Sequence, residues 1–239
     1  MKKRICALAL TLALAAGGLS LASDLKMADG HILPLGNEVT LREADKSYVG
    51  KELQKEWNRE KVEKEILPAV KRMGLFGKGD ALHEKMMAEQ LGQLFEATRL
   101  SQLQMETKEA FHQAVVMSVK LEEKDIAGWN EIIRAMEKAH PGKIDILGEN
   151  RTLNLETIRE SMKKEDGHDR FVYKKDGQTE FIYGSIFLFA EQYGVETPFY
   201  VFFIAAADKG QFGVTAIYTN QATGRIMEPV LVKGAEGLR

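Results

Sequence analysis

The 239-residue chain is predicted to be an exported α+β protein, with N-terminal and middle helices packed on a C-terminal antiparallel β-meander of about five strands. Three observations predict this class. A basic start followed by an apolar stretch opens the chain, helical periodicity dominates residues 50–165, and alternating periodicity dominates residues 169–232. The predicted organisation is a signal peptide over residues 1–22, an extended arm over 23–49 and a single domain over 50–239.

The N-terminus has the three parts of an export signal. Residues 2–4 are basic, "ICALALTLALAA" at 5–16 is apolar, and the small residues Ser20 and Ala22 follow, so we predict cleavage after Ala22. The alternative is an uncleaved anchor, since residues 5–22 are just long enough to span a bilayer, although Gly17 and Gly18 weaken them as a helix. The signal is of bacterial type and predicts a periplasmic or extracellular protein.

Cysteine usage and charge exclude several functional classes. Cys6 is the one cysteine and lies within the signal, so the mature chain would have no disulfide, no cysteine-ligated zinc and no cysteine nucleophile. Removal of residues 1–22 leaves 30 basic and 35 acidic residues, a formal charge of −5. This balance argues against nucleic acid or an anionic membrane as the main partner. We predict no stable membrane span after cleavage of the signal.

The first half of the domain is expected to be mainly helical. A short strand is expected near Glu38–Arg42, then a helix of mixed charge over residues 51–74 that Pro68 kinks or restarts. A second helix is expected from a cap at Asp80 to about Met105.

The middle of the chain predicts one strand and two helices. Residues 115–121 alternate as a half-buried strand does. The sequence "DIAGWNEIIRAMEKAHPG" then has an apolar stripe at steps of three and four, with Asp125 as its cap and Pro141 and Gly142 as its stop. Another helix is expected over residues 154–164.

The meander is predicted from two hairpins and a last strand. Asp176 and Gly177 suit a two-residue turn, and a three-residue turn over 208–210 would join "FYVFFIAAA" to "QFGVTAIYT". The fifth strand is "RIMEPVLV" at 225–232, placed at the sheet edge because Pro229 donates no hydrogen bond.

The run 199–207 is half the length of a membrane helix and apolar on both sides, which predicts a central strand. A three-residue turn would place Tyr200 opposite Tyr218 and Phe202 opposite Ala216. Helices, a partner chain or a bound ligand must then cover each apolar face of the sheet. We expect a ligand-binding or partner-binding surface at four residues: Tyr183, Tyr200, Phe202 and Tyr218.

The chemical motifs are weak. "HEKMM" at 83–87 lacks the second histidine of a zinc-protease helix, and Ser185 lacks the glycines of a nucleophile elbow. We therefore predict no metal site, no cofactor and no assigned catalytic residue.

The leading hypothesis is a non-enzymatic envelope protein that binds a small apolar ligand or a protein partner. The alternative is a secreted hydrolase that uses His168 with Asp166 or Asp169.

Overall fold

The computed structural model describes residues 24–37, 39–43, 58–72, 74–108, 110–143, 145–147, 152–166, 171–192, 195–208 and 211–239. The strands are β1 (Asp24–Lys26), β2 (Ile32–Pro34), β3 (Val39–Glu43), β4 (Arg99–Glu106), β5 (Phe111–Glu122), β6 (Phe171–Asp176), β7 (Thr179–Gln192), β8 (Val195–Asp208) and β9 (Gln211–Asn220). The helices are α1 (Arg59–Lys61, the π-helical stretch Val62–Ile66 and Leu67–Arg72), α2 (Ala81–Ala97), α3 (Glu123–Ala139), α4 (Leu155–Asp166) and α5 (Gln221–Glu236).

One large antiparallel sheet organises the molecule. Its seven strands lie in the order β3-β4-β5-β9-β8-β7-β6, and β1 and β2 form a separate hairpin. The α+β class with an antiparallel sheet is therefore confirmed. The arrangement differs from the prediction, because β3, β4 and β5 precede the meander in the chain and join it through the pairing of β5 with β9.

The predicted fifth strand is wrong, because residues 225–232 lie inside α5. Buried residues recur in this helix at steps of four, namely Thr223, Met227, Leu231 and Ala235, which is the spacing of one helix face. Pro229 lies on the exposed side of α5, where water can reach the carbonyl that its ring leaves unpaired. Burial of the stripe outweighs the cost of proline inside the helix.

The predicted extension of α2 to Met105 is also wrong. The helix ends at Ala97, and the Thr98 hydroxyl donates to the Leu94 carbonyl oxygen at 2.6 Å. Residues 99–106 form β4, which pairs with β3 on one side and β5 on the other. No glycine or proline marks this boundary in the sequence, so the two-sided pairing decides it.

Two of the other helices follow their predicted patterns closely, and for the helix predicted over 51–74 residues 51–57 and 73 lie outside the described residues. The main amphipathic helix is confirmed as α3, although its cap is Glu122 and Asp125 completes a reciprocal capping box. The predicted helix over 154–164 is confirmed as α4, where the Asn154 side chain accepts from the Thr157 amide at 2.9 Å. In α1 the π-helical stretch directly precedes the turn that contains Pro68.

The two hairpins have different outcomes. The first hairpin is confirmed, but its two turn residues are Gly177 and Gln178 rather than Asp176 and Gly177, because Asp176 pairs with Thr179. Gly177 has a φ of 60°. The second turn spans two residues rather than three, because Asp208 pairs with Gln211. Lys209 and Gly210 themselves lie outside the described residues.

Different elements cover the two faces of the sheet. On the α5 face, side chains such as Phe202 and Ile204 pack with α5 and with Leu25, Met27 and Leu33 of the β1–β2 hairpin. On the α3 face, a second cluster joins Ile182, Ala205 and Phe212 to Leu155 of α4 and Ile126 of α3. The sheet is thus the middle layer of three.

The N-terminal hairpin is joined to the C-terminus of the chain. The Ile32 amide donates to the Arg239 carbonyl oxygen at 2.8 Å, and the Arg239 guanidinium bonds the Asp24 carboxylate at 3.2 Å. Part of the segment predicted as an extended arm therefore packs as a layer on the sheet. Within the described residues, no helix has both the length and the apolar character that crossing a bilayer requires.

Candidate functional site

The structure does not bring the four predicted site residues together. Tyr183, Tyr200 and Phe202 lie in one buried cluster on the α5 face. Tyr218 lies on the α3 face, because it pairs with Val201 rather than Tyr200, which pairs with Thr219. The predicted facing of Tyr200 and Tyr218 is wrong, since the shorter turn shifts the register by one residue and so exchanges the faces.

Tyr200 is enclosed rather than accessible. It is 0% exposed, and a β-carbon added to Gly224 of α5 would lie 2.1 Å from its ring. Its hydroxyl is near Ser185 and Glu228, where the Ser185 hydroxyl donates to the Glu228 carboxylate at 2.6 Å. Burial, and next the nearby Glu228 carboxylate, raise the pKa of Tyr200 well above its usual range.

A notch opens in the sheet where two strands separate. The pairing of β5 with β9 ends at Val115 and Tyr218, whereas β5 continues to pair with β4 as far as Phe111, and β9 with β8 as far as Asn220. The sheet therefore divides at this end into two wings. We call the space between the wings the notch.

The end of β9 explains why the ladder stops. Asn220 is the N-cap of α5, and its side chain accepts from the Thr223 amide at 2.9 Å, so it turns away from β5. The carbonyl of Gln113, which would meet Asn220 in a continued ladder, accepts from the Thr219 hydroxyl instead, at 2.7 Å. Because the N–H and C=O of a strand residue point to the same side, the backbone N–H of Gln113 is also directed towards the notch.

Aromatic rings form the walls of the notch. Phe199 and Tyr218 stack with ring centroids 5.1 Å apart and planes at 23°, and Phe111 on the facing wing is 54% exposed. The notch has a volume of about 240 Å³ and is lined by Gln102, Phe111, Gln113, Ala114, Val115, Phe199, Tyr218, Thr219, Asn220 and Thr223. An exposed aromatic ring beside a stacked pair is a typical contact surface for binding.

The side chains that line the notch are uncharged, and the acidic Glu106, opposite Phe111 in the β4–β5 ladder, lies outside this lining. None of the described residues that line the notch is acidic or basic, although 28% of the chain is charged. Its polar groups are the amides of Gln102, Gln113 and Asn220 and three hydroxyls. Amides and threonine hydroxyls donate and accept hydrogen bonds but do not ionise near neutral pH, which suits binding rather than acid–base chemistry.

Two clefts of more than twice the volume of the notch have less binding chemistry. The cleft between α2, α3 and the end of β5 measures about 610 Å³ and includes Trp129, but three of the charged residues on its rim bond to one another. Lys124 pairs with Glu122 at 3.2 Å, and the Glu122 amide donates to Asp125 at 2.8 Å. The cleft between the N-terminal hairpin and α5, of about 590 Å³, has mostly aliphatic walls.

The alternative hydrolase set lies outside the described residues. This applies to His168 and Asp169, and for Asp166 only the backbone is described, as the last residue of α4. Across the ranges that the structure describes, no group of three histidine, cysteine or acidic side chains is arranged to hold a metal ion.

Sequence reasoning missed Phe111, Phe199, Gln102 and Gln113 as site residues. The alternation of β5 carried this signal, because its extension towards the N-terminus places Phe111 and Gln113 on the same face as Val115. The separation of β5 from β9 has no comparable sequence signal.

Comparison with protein-family models, with curated proteins and with solved structures finds no match to this chain.

Proposed function

We propose that this protein is an exported, non-enzymatic binding module of the cell envelope, and that it holds a small ligand or an inserted group of a partner in the notch. The observation that carries the proposal is the exposed ring of Phe111 facing the stacked pair of Phe199 and Tyr218 across a gap in the sheet.

The packing supports the notch over the two sheet faces as the binding surface. The α5 face, where three of the sequence-predicted residues lie, is occupied by the protein's own helix and hairpin. At the notch, in contrast, about half of the Phe111 side chain is exposed to water. Burial of such a ring by a ligand recovers hydrophobic free energy of about 25 cal/mol for each Å² of apolar surface covered.

Fluorescence of the apolar probe N-phenyl-1-naphthylamine tests this proposal. Phe111→Ser removes one wall of the notch, and we expect at least about fivefold weaker binding, equivalent to about 1 kcal/mol. Val172→Ser is the matched control, because Val172 is 48% exposed on the edge strand β6, far from β5 in strand order. Both substitutions should leave stability within about 0.5 kcal/mol of wild type, as surface changes generally do.

Two results would reject the binding role. One is no binding of any small neutral ring compound, the probe included, to the wild-type protein. The other is equal loss of binding in the Phe111 and Val172 variants, which would indicate non-specific adsorption.

A further inference from the structure

We infer that the ligand held in the notch is an uncharged saccharide ring, an inference that rests on the proposed binding role of the notch. Three properties of the notch, namely its size, its charge and its mixture of rings and amides, restrict the chemistry of the ligand.

Size restricts the ligand to about one ring. Pockets for drug-sized molecules measure roughly 300–1,000 Å³, whereas the notch measures about 240 Å³. A lipid chain or a ligand of four fused rings would leave most of its surface in water, whereas one ring of the naphthylamine probe can enter. A single six-membered ring, one terminal or internal unit of a glycan, is of the right scale.

Charge restricts the ligand to a neutral molecule. A carboxylate, phosphate or ammonium group that enters the notch loses part of its hydration, and the described residues that line it supply no opposite charge. Neutral amides and hydroxyls compensate a hydroxyl group much better than they compensate an ion.

The mixture of rings and amides favours a sugar over a purely apolar ligand. An apolar ligand would cover Phe111 and Tyr218. It would also exclude water from the backbone N–H of Gln113 without offering an acceptor in its place. Gln104 donates to the Gln102 side-chain oxygen at 3.2 Å, which orients the NH₂ group of Gln102 as a donor for a ligand. A pyranose has a C–H face that packs on an aromatic ring and a rim of hydroxyls that both donate and accept.

Saturation-transfer NMR with neutral methyl glycosides tests the ligand class. The methyl glycosides of glucose, galactose, mannose and N-acetylglucosamine are each added at about 10 mM, which detects dissociation constants in the millimolar range. Glucosamine and glucuronate are the charged comparators. We expect transfer to at least one neutral glycoside, at least about tenfold weaker binding of the charged sugars, and at least fivefold weaker binding to the Phe111→Ser protein, with Val172→Ser unchanged.

The possible outcomes separate this inference from the proposed function. If the naphthylamine probe binds at the notch and no glycoside does, the binding role stands and the saccharide inference is overturned. Equal binding of neutral and charged sugars, or undiminished glycoside binding to the Phe111→Ser protein, also overturns it. Loss of both probe and glycoside binding rejects the two proposals together.

Discussion

Substitution of Gly224 by alanine tests the close packing of α5 on the sheet. The new β-carbon would lie 2.1 Å from Cγ and 2.4 Å from Cβ of Tyr200, whereas carbon atoms pack at about 3.5–4.0 Å. The clash involves the part of Tyr200 nearest its backbone, on a central strand and 0% exposed. Rotation of the tyrosine side chain therefore cannot relieve it, and α5 must move instead.

The expected magnitude follows from two opposing effects. Overpacking of a filled core costs up to about 3 kcal/mol, and alanine in place of glycine inside a helix recovers about 1 kcal/mol. We expect a net loss of about 2 kcal/mol in the free energy of unfolding, and a fall in Tm of about 4–8 °C for a protein of this size.

Gly92→Ala in α2 is the matched control, and urea denaturation followed by circular dichroism is the assay. A β-carbon at Gly92 meets the Arg59 side chain at 3.5 Å, an ordinary contact, so we expect stabilisation by up to about 1 kcal/mol. A Gly224→Ala protein as stable as wild type, alongside a stabilised Gly92 variant, would refute the packing of α5 on Tyr200.

Three further predictions concern the hairpin, Tyr200 and the signal peptide. Gly213→Ala would place a β-carbon 1.7 Å from the Asp29 carboxylate, so hydrogen exchange should become faster over residues 24–37. An Asp29→Ala second change should reverse only part of this, because its β-carbon would still lie 2.7 Å from the new one and the His31 amide would lose its acceptor. The raised pKa of Tyr200 favours its protonated form in the folded state, so its contribution to stability is complete below pH about 10 and is lost as pH rises towards the folded pKa. Tyr200→Phe should therefore flatten the alkaline fall of the urea midpoint, and an unchanged slope would contradict the assignment. Mass spectrometry of the exported protein should find Ser23 as its first residue, whereas a retained N-terminus would favour the anchor.

Local patterns predicted those elements whose stability is decided within the element itself. The apolar stripe and the stop at Pro141 and Gly142 specified α3, and the Asp176–Gly177 pair placed the β6–β7 turn to within one residue, since the turn residues are Gly177 and Gln178. In these cases the side-chain period and the turn chemistry agree with the final packing, so nothing from the rest of the chain opposes them.

Elsewhere, long-range packing decided between patterns that local chemistry leaves nearly balanced. The β-branched residues near Pro229 suit a strand, yet the stripe from Thr223 to Ala235 finds a face of the sheet to cover and so forms a helix. Residues 99–106 include several amino acids of high helix propensity, but they form β4 because strands pair on both sides of them.

The candidate site shows the same division. The sequence by itself determined that residues 199–207 form a strand apolar on both sides. Nine apolar residues between a proline and a turn are of normal length for a strand, and a strand buried on both faces keeps all of them out of water. Only the tertiary structure decided which aromatic side chains remain accessible. The β8–β9 turn is one residue shorter than predicted, so Tyr218 lies on the same face as Phe199 and not on the face of Tyr200. Side chains alternate with a period of two, and a register shift of one residue therefore exchanges the faces.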